Sequence, residues 1–334
     1  MDLPNQMLKA IEAELQFAIS CVNQPQLGNF HHMLAYHLGW EGEGAGQNTT
    51  GKRIRPLLLL LTTSAAGGEW ERALPAAAAV ELIHNFSLIH DDIEDNSTLR
   101  RGRPTVWNVW GIPLAINAGD AMLTLAHLSI FRLEQTCGYE TALRAADILQ
   151  NACLELTKGQ HLDISYENRN DLTLDDYWLM ISGKTASLIS ACSNMGALIA
   201  GCDTSIRDLY REYGHNLGMA FQALDDLLGI WGDEALTGKS NASDLISGKK
   251  SLPVLYALEL SGPFAKRWRR GSIQPDEVPD LARQLELEGA RDYTLETASC
   301  FTDKALQALS KAEPKGMGGE ELTRLTYTLL KRQQ

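Results

Sequence analysis

Apolar residues recur along this chain at helical spacing almost from its start. Leu8, Ile11, Leu15 and Ile19 follow one another at intervals of three or four, behind Pro4, which suits a first helical turn. The same period predicts helices over about residues 54–66, 71–94, 113–135, 139–167, 173–200, 204–231, 252–261, 276–310 and 318–332. The strict alternation that marks half-buried strands is absent, so the pattern predicts an all-α architecture. Two polar, glycine-containing stretches interrupt it: "GWEGEGAGQNTTG" (39–51) and "GDEALTGKSNASDLISGKKS" (232–251). Both read as loops within one domain, residues 1–334, because helices of similar apolar content lie on either side of each.

Composition narrows the function classes. The chain has 334 residues, 44% of them hydrophobic, enough for one large helical domain with a sizeable core. A net charge of -12 argues against nucleic acid as a partner, since binding phosphate backbones needs a basic face. The cations that exist are nevertheless grouped: Lys52, Arg53 and Arg55; Arg100, Arg101 and Arg103; Lys249 and Lys250. Such groups on an acidic chain suit small anionic ligands. Six cysteines without CxxC spacing read as reduced, buried thiols, and so point to a cytoplasmic protein. No leader-like start and no apolar run approaching the roughly 18 residues of a membrane span are evident, so no stable membrane insertion is expected.

The densest chemistry lies in "SLIHDDIEDNSTLRRG" (87–102). On a helix, Asp91, Asp92 and Asp95 fall within an arc of about 100°. Three carboxylates behind an apolar run repel one another unless something cationic sits among them, and Mg²⁺, which takes one or two carboxylates together with phosphate oxygens, resolves the conflict. Read alone, the motif leaves open a plain acidic helix end closed by ion pairs to Arg100 and Arg101. A second aspartate pair, Asp225 and Asp226 in "FQALDDLLGIWGD", and lysines on the loops favour the metal and phosphate reading. His31, His32 and His37 lack the cysteine or carboxylate partners of a zinc pattern.

Between about residues 51 and 253, "GKRIRP", "HNFSLIHDDIED" with "LRRG", "GDAML", "GQHLD", "GKT", "FQALDD", "TGK" and "GKKSLPV" follow in order. In these motifs the chain resembles the trans-isoprenyl diphosphate synthases, the polyprenyl synthetase family. The resemblance implies packed helices around a deep central cavity, a homodimer, and Mg²⁺-dependent elongation of an allylic diphosphate (C5–C15) by isopentenyl diphosphate, with three Mg²⁺ per active site. Carried onto this sequence, Lys52, Arg55, His84 and Arg101 would hold isopentenyl diphosphate. Asp91, Asp95, Asp163 and Asp225 would bind Mg²⁺, with Asp92 and Asp226 in support. Arg100, Lys184, Lys239 and Lys249 would contact the allylic diphosphate, and Thr185 and Gln222 would place oxygens near the developing cation. Departure of diphosphate needs its growing charge neutralised, and an apolar, dry pocket protects the cation until the alkene attacks.

One departure stands out. The family's second motif is usually another DDxxD, and here Gly229 stands at the place of its last aspartate. Asp233, the next carboxylate, lies about 80° around and about 12 Å along a continuing helix, so it does not replace a residue at 229 without a bend. The expectation is that Asp225 keeps a metal while Asp233 acts on the loop carrying Lys239. Phe86 and Ser87, about one turn before Asp91, would form the floor beneath the growing chain, and by the resemblance they imply a C20 product, with C15 next. A class I terpene cyclase and a non-catalytic subunit of a heteromeric synthase remain the alternatives. The first needs no isopentenyl diphosphate site, and the second needs no intact charged set.

Overall fold

The computed structural model describes residues 2–46, 49–232 and 243–330. The chain divides into two compact units. The first comprises Met1–Gln150, Ala191–Asp208 and Glu313–Thr323, and the second Asn151–Ser190, Leu209–Ala312 and Arg324–Gln334.

In the first unit α1 (Leu3–Ser20) opens with Asp2 capping the N–H of Asn5 and with Pro4 in the first turn. It is followed by α2 (Gly28–His37), α3 (Ile54–Ala65), α4 (Leu74–Glu94), α5 (Val106–Trp110), α6 (Ile112–Phe131) and α7 (Leu133–Cys137). The centre of the unit is α4, which packs against α6, α3 and α1. Its run Ala76 to Val80, with Leu82 and Ile83, is fully buried, and the small alanines let neighbouring helices approach closely. This rigid rod delivers the aspartates at its C-terminal end.

The second unit contains most of α8 (Tyr139–Tyr166), then α9 (Leu174–Ile181), a π-helical turn (Ser182–Ala186), the start of α10 (Ser187–Ile199) and most of α11 (Thr204–Trp231). Thr173 and Asp176 form a capping box that starts α9. Shorter helices follow at Ser243–Ser247, Leu252–Leu260, Pro263–Trp268 and Val278–Leu287, then the long Ala290–Lys311 and the end of Gly316–Leu330. One apolar cluster gathers Tyr177, Met180, Met219, Leu224, Leu252 and Leu255. A second gathers Ile230, Leu245, Val254, Phe264, Leu281 and Leu285.

The helical reading holds, with local corrections. The stretch expected at 113–135 is broken at Arg132, the one at 173–200 contains the π-helical turn, and the one at 276–310 is cut at Gly289, whose φ of +80° ends the preceding helix. Among the described residues, four helices escaped the periodicity: α2, α5, Ser243–Ser247 and Pro263–Trp268, short or polar segments with too few apolar repeats. Strand is not wholly absent, because Leu99–Arg100 pairs with Arg103–Pro104 through a two-residue turn. Arg101 and Gly102 occupy that turn with φ of +52° and +76°, the left-handed pair that a type I′ turn needs. The expectation of no apolar run of spanning length is also revised: Ile112–Cys137, 26 residues with under half of its most apolar window buried, is long and apolar enough to cross a membrane. All six cysteines are free, yet Cys21 and Cys300 are exposed rather than buried.

Candidate active site

In the first unit the "GKRIRP" cations separate into different tasks. Arg53, with φ of +46°, turns inward and is almost fully buried. Its Nε donates to Glu12 Oε1 at 2.6 Å, its Nη1 to Glu81 Oε1 at 2.8 Å, and its Nη2 to the Leu38 carbonyl. The carboxylates of Glu81 and Glu12 outweigh its burial and hold its pKa above the usual arginine value. It is a structural post for the start of α3, and Lys52 beside it is exposed. Arg55 faces α4, with Nη1 3.3 Å from His84 Nε2. Burial, followed by the positive charges of Arg55, Arg101 and Arg100, pushes the His84 pKa well below its ordinary value, so this imidazole is neutral at pH 7.

The end of α4 is organised by the hairpin. Asp92 is 2% exposed and receives Arg100 through Nε at 2.8 and 2.9 Å to its two oxygens, with Nη2 at 2.8 Å. Asp91 is half-buried and Asp95, which caps the helix, is exposed. The three carboxylates are therefore not equivalent, since Asp92 is drawn into the protein and held by Arg100. The turn geometry carries Arg101 to Thr49, whose carbonyl accepts from Nη1 at 3.0 Å. A Cβ on Gly51 would lie 2.7 Å from the Arg101 guanidinium, so glycine at that position makes room for it. Tyr36, His37, Thr49, Asp92, Arg100, Arg101 and Arg103 line a small pocket here.

In the second unit, Lys184 lies in the π-helical turn, an arrangement often found at functional positions. The turn is pressed backbone to backbone against α8: a Cβ on Gly159 would meet Lys184 N at 2.1 Å, and one on Gly183 would meet the Glu155 carbonyl at 2.7 Å. That approach brings Lys184 Nζ into a hydrogen-bonded ion pair with Asp163. Thr185 Oγ1 donates to Gln222 Oε1 at 2.9 Å, and Gln222 Nε2 donates to Asp226 Oδ1 at 2.9 Å.

Asp226 has no exposed surface. Its Oδ2 accepts from Tyr177 Oη at 2.7 Å and from the Leu252 N–H at 2.8 Å, and Lys249 Nζ stands 3.5 Å from Oδ1. Burial and the Asp226 carboxylate raise the Tyr177 pKa well above the phenolic norm, which keeps it a donor. Burial by itself would lower the Lys249 pKa. The carboxylates Asp226, Asp244, Asp225 and Asp163 reverse this and hold it above the ordinary lysine value. Asp225, one residue earlier on α11, is less buried than Asp226.

The structure thus brings Arg55, His84, Arg100 and Arg101 together around the end of α4. It separately joins Asp163 to Lys184, and Thr185, Gln222, Asp226 and Lys249 into one network. Phe86 packs edge-on against His90, ring centroids 4.9 Å apart, and Ser87 Oγ donates back to the His84 carbonyl. Asp233 and Lys239 lie outside the described residues. Residues the motifs did not single out include Glu81, Tyr177 and Asp244. Of these, Glu81 was within reach of the sequence, since a carboxylate inside an otherwise apolar helix asks for a buried cation.

Residues 45–280 match the family model for polyprenyl synthetases. A (2E,6E)-farnesyl diphosphate synthase from Mycobacterium tuberculosis is 39% identical over 311 residues, covering 90% of this chain and 86% of that protein. A geranylgeranyl diphosphate synthase from the same organism is 36% identical, covering 99% and 95%. Among solved structures, a geranylgeranyl pyrophosphate synthetase from Pyrococcus horikoshii superposes with a TM-score of 0.89 at 32% identity, over 99% of this chain and 97% of that one. A polyprenyl synthase from Caulobacter crescentus, crystallised with calcium and isoprenyl diphosphate, gives 0.82 at 31% identity, over 99% and 97%.

Proposed function

The chain belongs to the polyprenyl synthetase family and is a prenyltransferase, and from that premise we propose that it condenses isopentenyl diphosphate head to tail (1′-4) with an allylic diphosphate, Mg²⁺-dependently, to give an all-trans C20 diphosphate. The observation that carries this reading is the pairing of Arg55 of α3 with His84 of α4. A terpene cyclase ionises one diphosphate and has no use for a second cationic cradle.

The donor chemistry fits a hard divalent cation. Asp91 and Asp95 lie at the C-terminal end of α4, where the helix dipole adds negative potential, and Asp225 lies near the C-terminal end of α11. Among the described residues no three His, Cys, Asp or Glu side chains form a complete metal cage. That suits Mg²⁺, which takes one or two carboxylates and fills its sphere with substrate phosphates and water. Bound there, Mg²⁺ neutralises the charge that grows on the departing diphosphate. Asp91, Asp95, Asp163 and Asp225 are its ligands in this reading, three ions in all.

The remaining work falls to the protein's own groups. Arg55, Lys52 and Arg101 bind isopentenyl diphosphate as fixed cations, and neutral His84 donates a hydrogen bond to it without adding charge. Lys184, Lys249 and Arg100 take the allylic diphosphate. Thr185 and Gln222, locked to each other and to Asp226, turn oxygens toward the allylic carbon as its positive charge develops. Phe86, held by His90, closes the floor that sets product length. The exposed apolar residues Ile112, Leu114, Ile116, Leu128 and Phe131 of α6 support a homodimer, and the six free cysteines support a cytoplasmic location.

Steady-state kinetics of Arg55→Gln test the reading. The KM for isopentenyl diphosphate should rise by at least about tenfold, with little change in that for the allylic diphosphate. Equal effects on both substrates contradict the assignment.

A further inference from the structure

The place left open by Gly229 is filled from elsewhere in the chain. Position 229 lies four residues after Asp225, one helical turn on and about 40° around, so a carboxylate there would stand directly beyond Asp225 on the same face of α11. Gly229 has no side chain, and its missing Cβ points into another carboxylate. A Cβ built at this position would lie 2.3 Å from Asp244 Oδ2, 2.7 Å from its Cγ and 3.1 Å from Oδ1. The Asp244 side chain is 8% exposed, so this is an inserted group and not a passing surface contact.

The short helix Ser243–Ser247 aims it. Asp244 occupies the first turn of that helix, its carbonyl accepts from the Lys249 N–H at 2.9 Å, and Ser247 Oγ donates to the same carbonyl at 3.2 Å. Lys249 Nζ then reaches back to Asp244 Oδ2 at 3.8 Å and to Asp226 Oδ1 at 3.5 Å. Asp226 is fully engaged by Tyr177, Leu252 and Gln222, and so cannot be the partner carboxylate of Asp225. Asp244 is the carboxylate present at the turn where the motif's last aspartate would stand.

We propose that Asp244 supplies, from a separate helix, the carboxylate that the second aspartate motif lacks at Gly229, and that Asp225 and Asp244 together form the acidic pair this half of the site offers to a divalent cation. Glycine at 229 is then a requirement of the arrangement, since any side chain at that position displaces the carboxylate that replaces it. The expectation from the sequence, in which Asp225 keeps a metal and Asp233 acts on the loop carrying Lys239, left position 229 without a substitute carboxylate, and residue 244 supplies one in this proposal.

The inference rests on the elongation reading, and a carboxylate swap separates the two. The measured quantities are the dissociation constant for Mn²⁺ in the presence of inorganic diphosphate and the melting temperature, for wild type, Asp244→Asn, Gly229→Asp and the double variant. Asp244→Asn keeps the shape and removes the charge, and should weaken Mn²⁺ about tenfold or more. Gly229→Asp alone should melt lower than wild type, because its Cβ lands on the Asp244 carboxylate. The double variant pairs Gly229→Asp with Asp244→Ala, because an isosteric asparagine would still meet the new Cβ; with the carboxylate returned to position 229 it should recover Mn²⁺ affinity to within about threefold of wild type. Unchanged Mn²⁺ affinity in Asp244→Asn overturns the inference, as does a double variant that binds no more tightly than Asp244→Asn. Failure of the wild-type protein to elongate any primer counts against the elongation reading instead.

Discussion

The two aspartate pairs look alike in sequence but are braced differently. In each, the second residue is buried and the first is less so: Asp92 is 2% exposed and Asp226 wholly buried. Asp92 is held by one charged partner, Arg100, itself part-exposed, on a two-strand hairpin directly downstream. Asp226 is held mainly by neutral donors, the Tyr177 hydroxyl and the Leu252 N–H from distant parts of its unit and the Gln222 amide one turn earlier on α11, with Lys249 at longer range. A local ion pair makes the first motif nearly self-contained. The second depends on α9, α11 and the Leu252–Leu260 helix being in place together.

That difference predicts unequal costs of breakage. Asp226→Ala strands the Tyr177 hydroxyl and a main-chain N–H in the core and should destabilise the protein by about 3–5 kcal/mol in urea titration. Asp92→Ala releases an arginine that can turn to water, and should cost about 1.5–3 kcal/mol. If Asp92→Ala proves the more damaging, the contrast between a local and a distributed brace fails.

Gly159→Ala probes how the second unit aims Lys184, which stands on a main-chain contact with α8 rather than on a hairpin. The added methyl meets Lys184 N at 2.1 Å. It should cost about 1–3 kcal/mol and reduce kcat/KM even at temperatures where the protein stays folded. A variant that is less stable but fully active would show that the π-helical turn does not position the lysine.

Acid should act on the first unit more than on the network around Asp226. The His84 and His37 pKa values lie well below 6.5 in the folded protein, chiefly through burial and then through neighbouring arginines. Below about pH 6.5 the unfolded chain binds protons that the native state refuses, so stability falls as the pH drops toward the folded-state values. Urea midpoints at about pH 7.5 and 5.5 should show this loss, and His84→Asn should reduce it. Phe86→Ala should leave stability nearly unchanged, since the ring is only part-buried, and lengthen the product beyond C20.

Much of this was legible from helical periodicity and from residue chemistry. The inward face of Asp226 is written in α11, where Met219, Ala223, Leu227 and Ile230 share its side and are buried with it. Asp92 likewise shares a face with Asn85 and Ile89. What the sequence hides is what depends on contacts between segments. The π-helical turn at Ser182–Ala186 goes with main-chain contact at Gly159, and neither glycine announces its partner. The inward turn of Arg53 needs Glu12 and Glu81, 41 and 28 residues away. Asp244, 15 positions beyond Gly229 and past a polar stretch, carries no periodic signal linking it to α11.

Incubating the purified protein with Mg²⁺, isopentenyl diphosphate and each of the C5, C10 and C15 allylic diphosphates, then measuring product length, tests the central claim most directly. The account predicts elongation of these primers with a C20 diphosphate as the principal end product. No elongated product from any primer, or release of diphosphate from the allylic substrate without consumption of isopentenyl diphosphate, contradicts it.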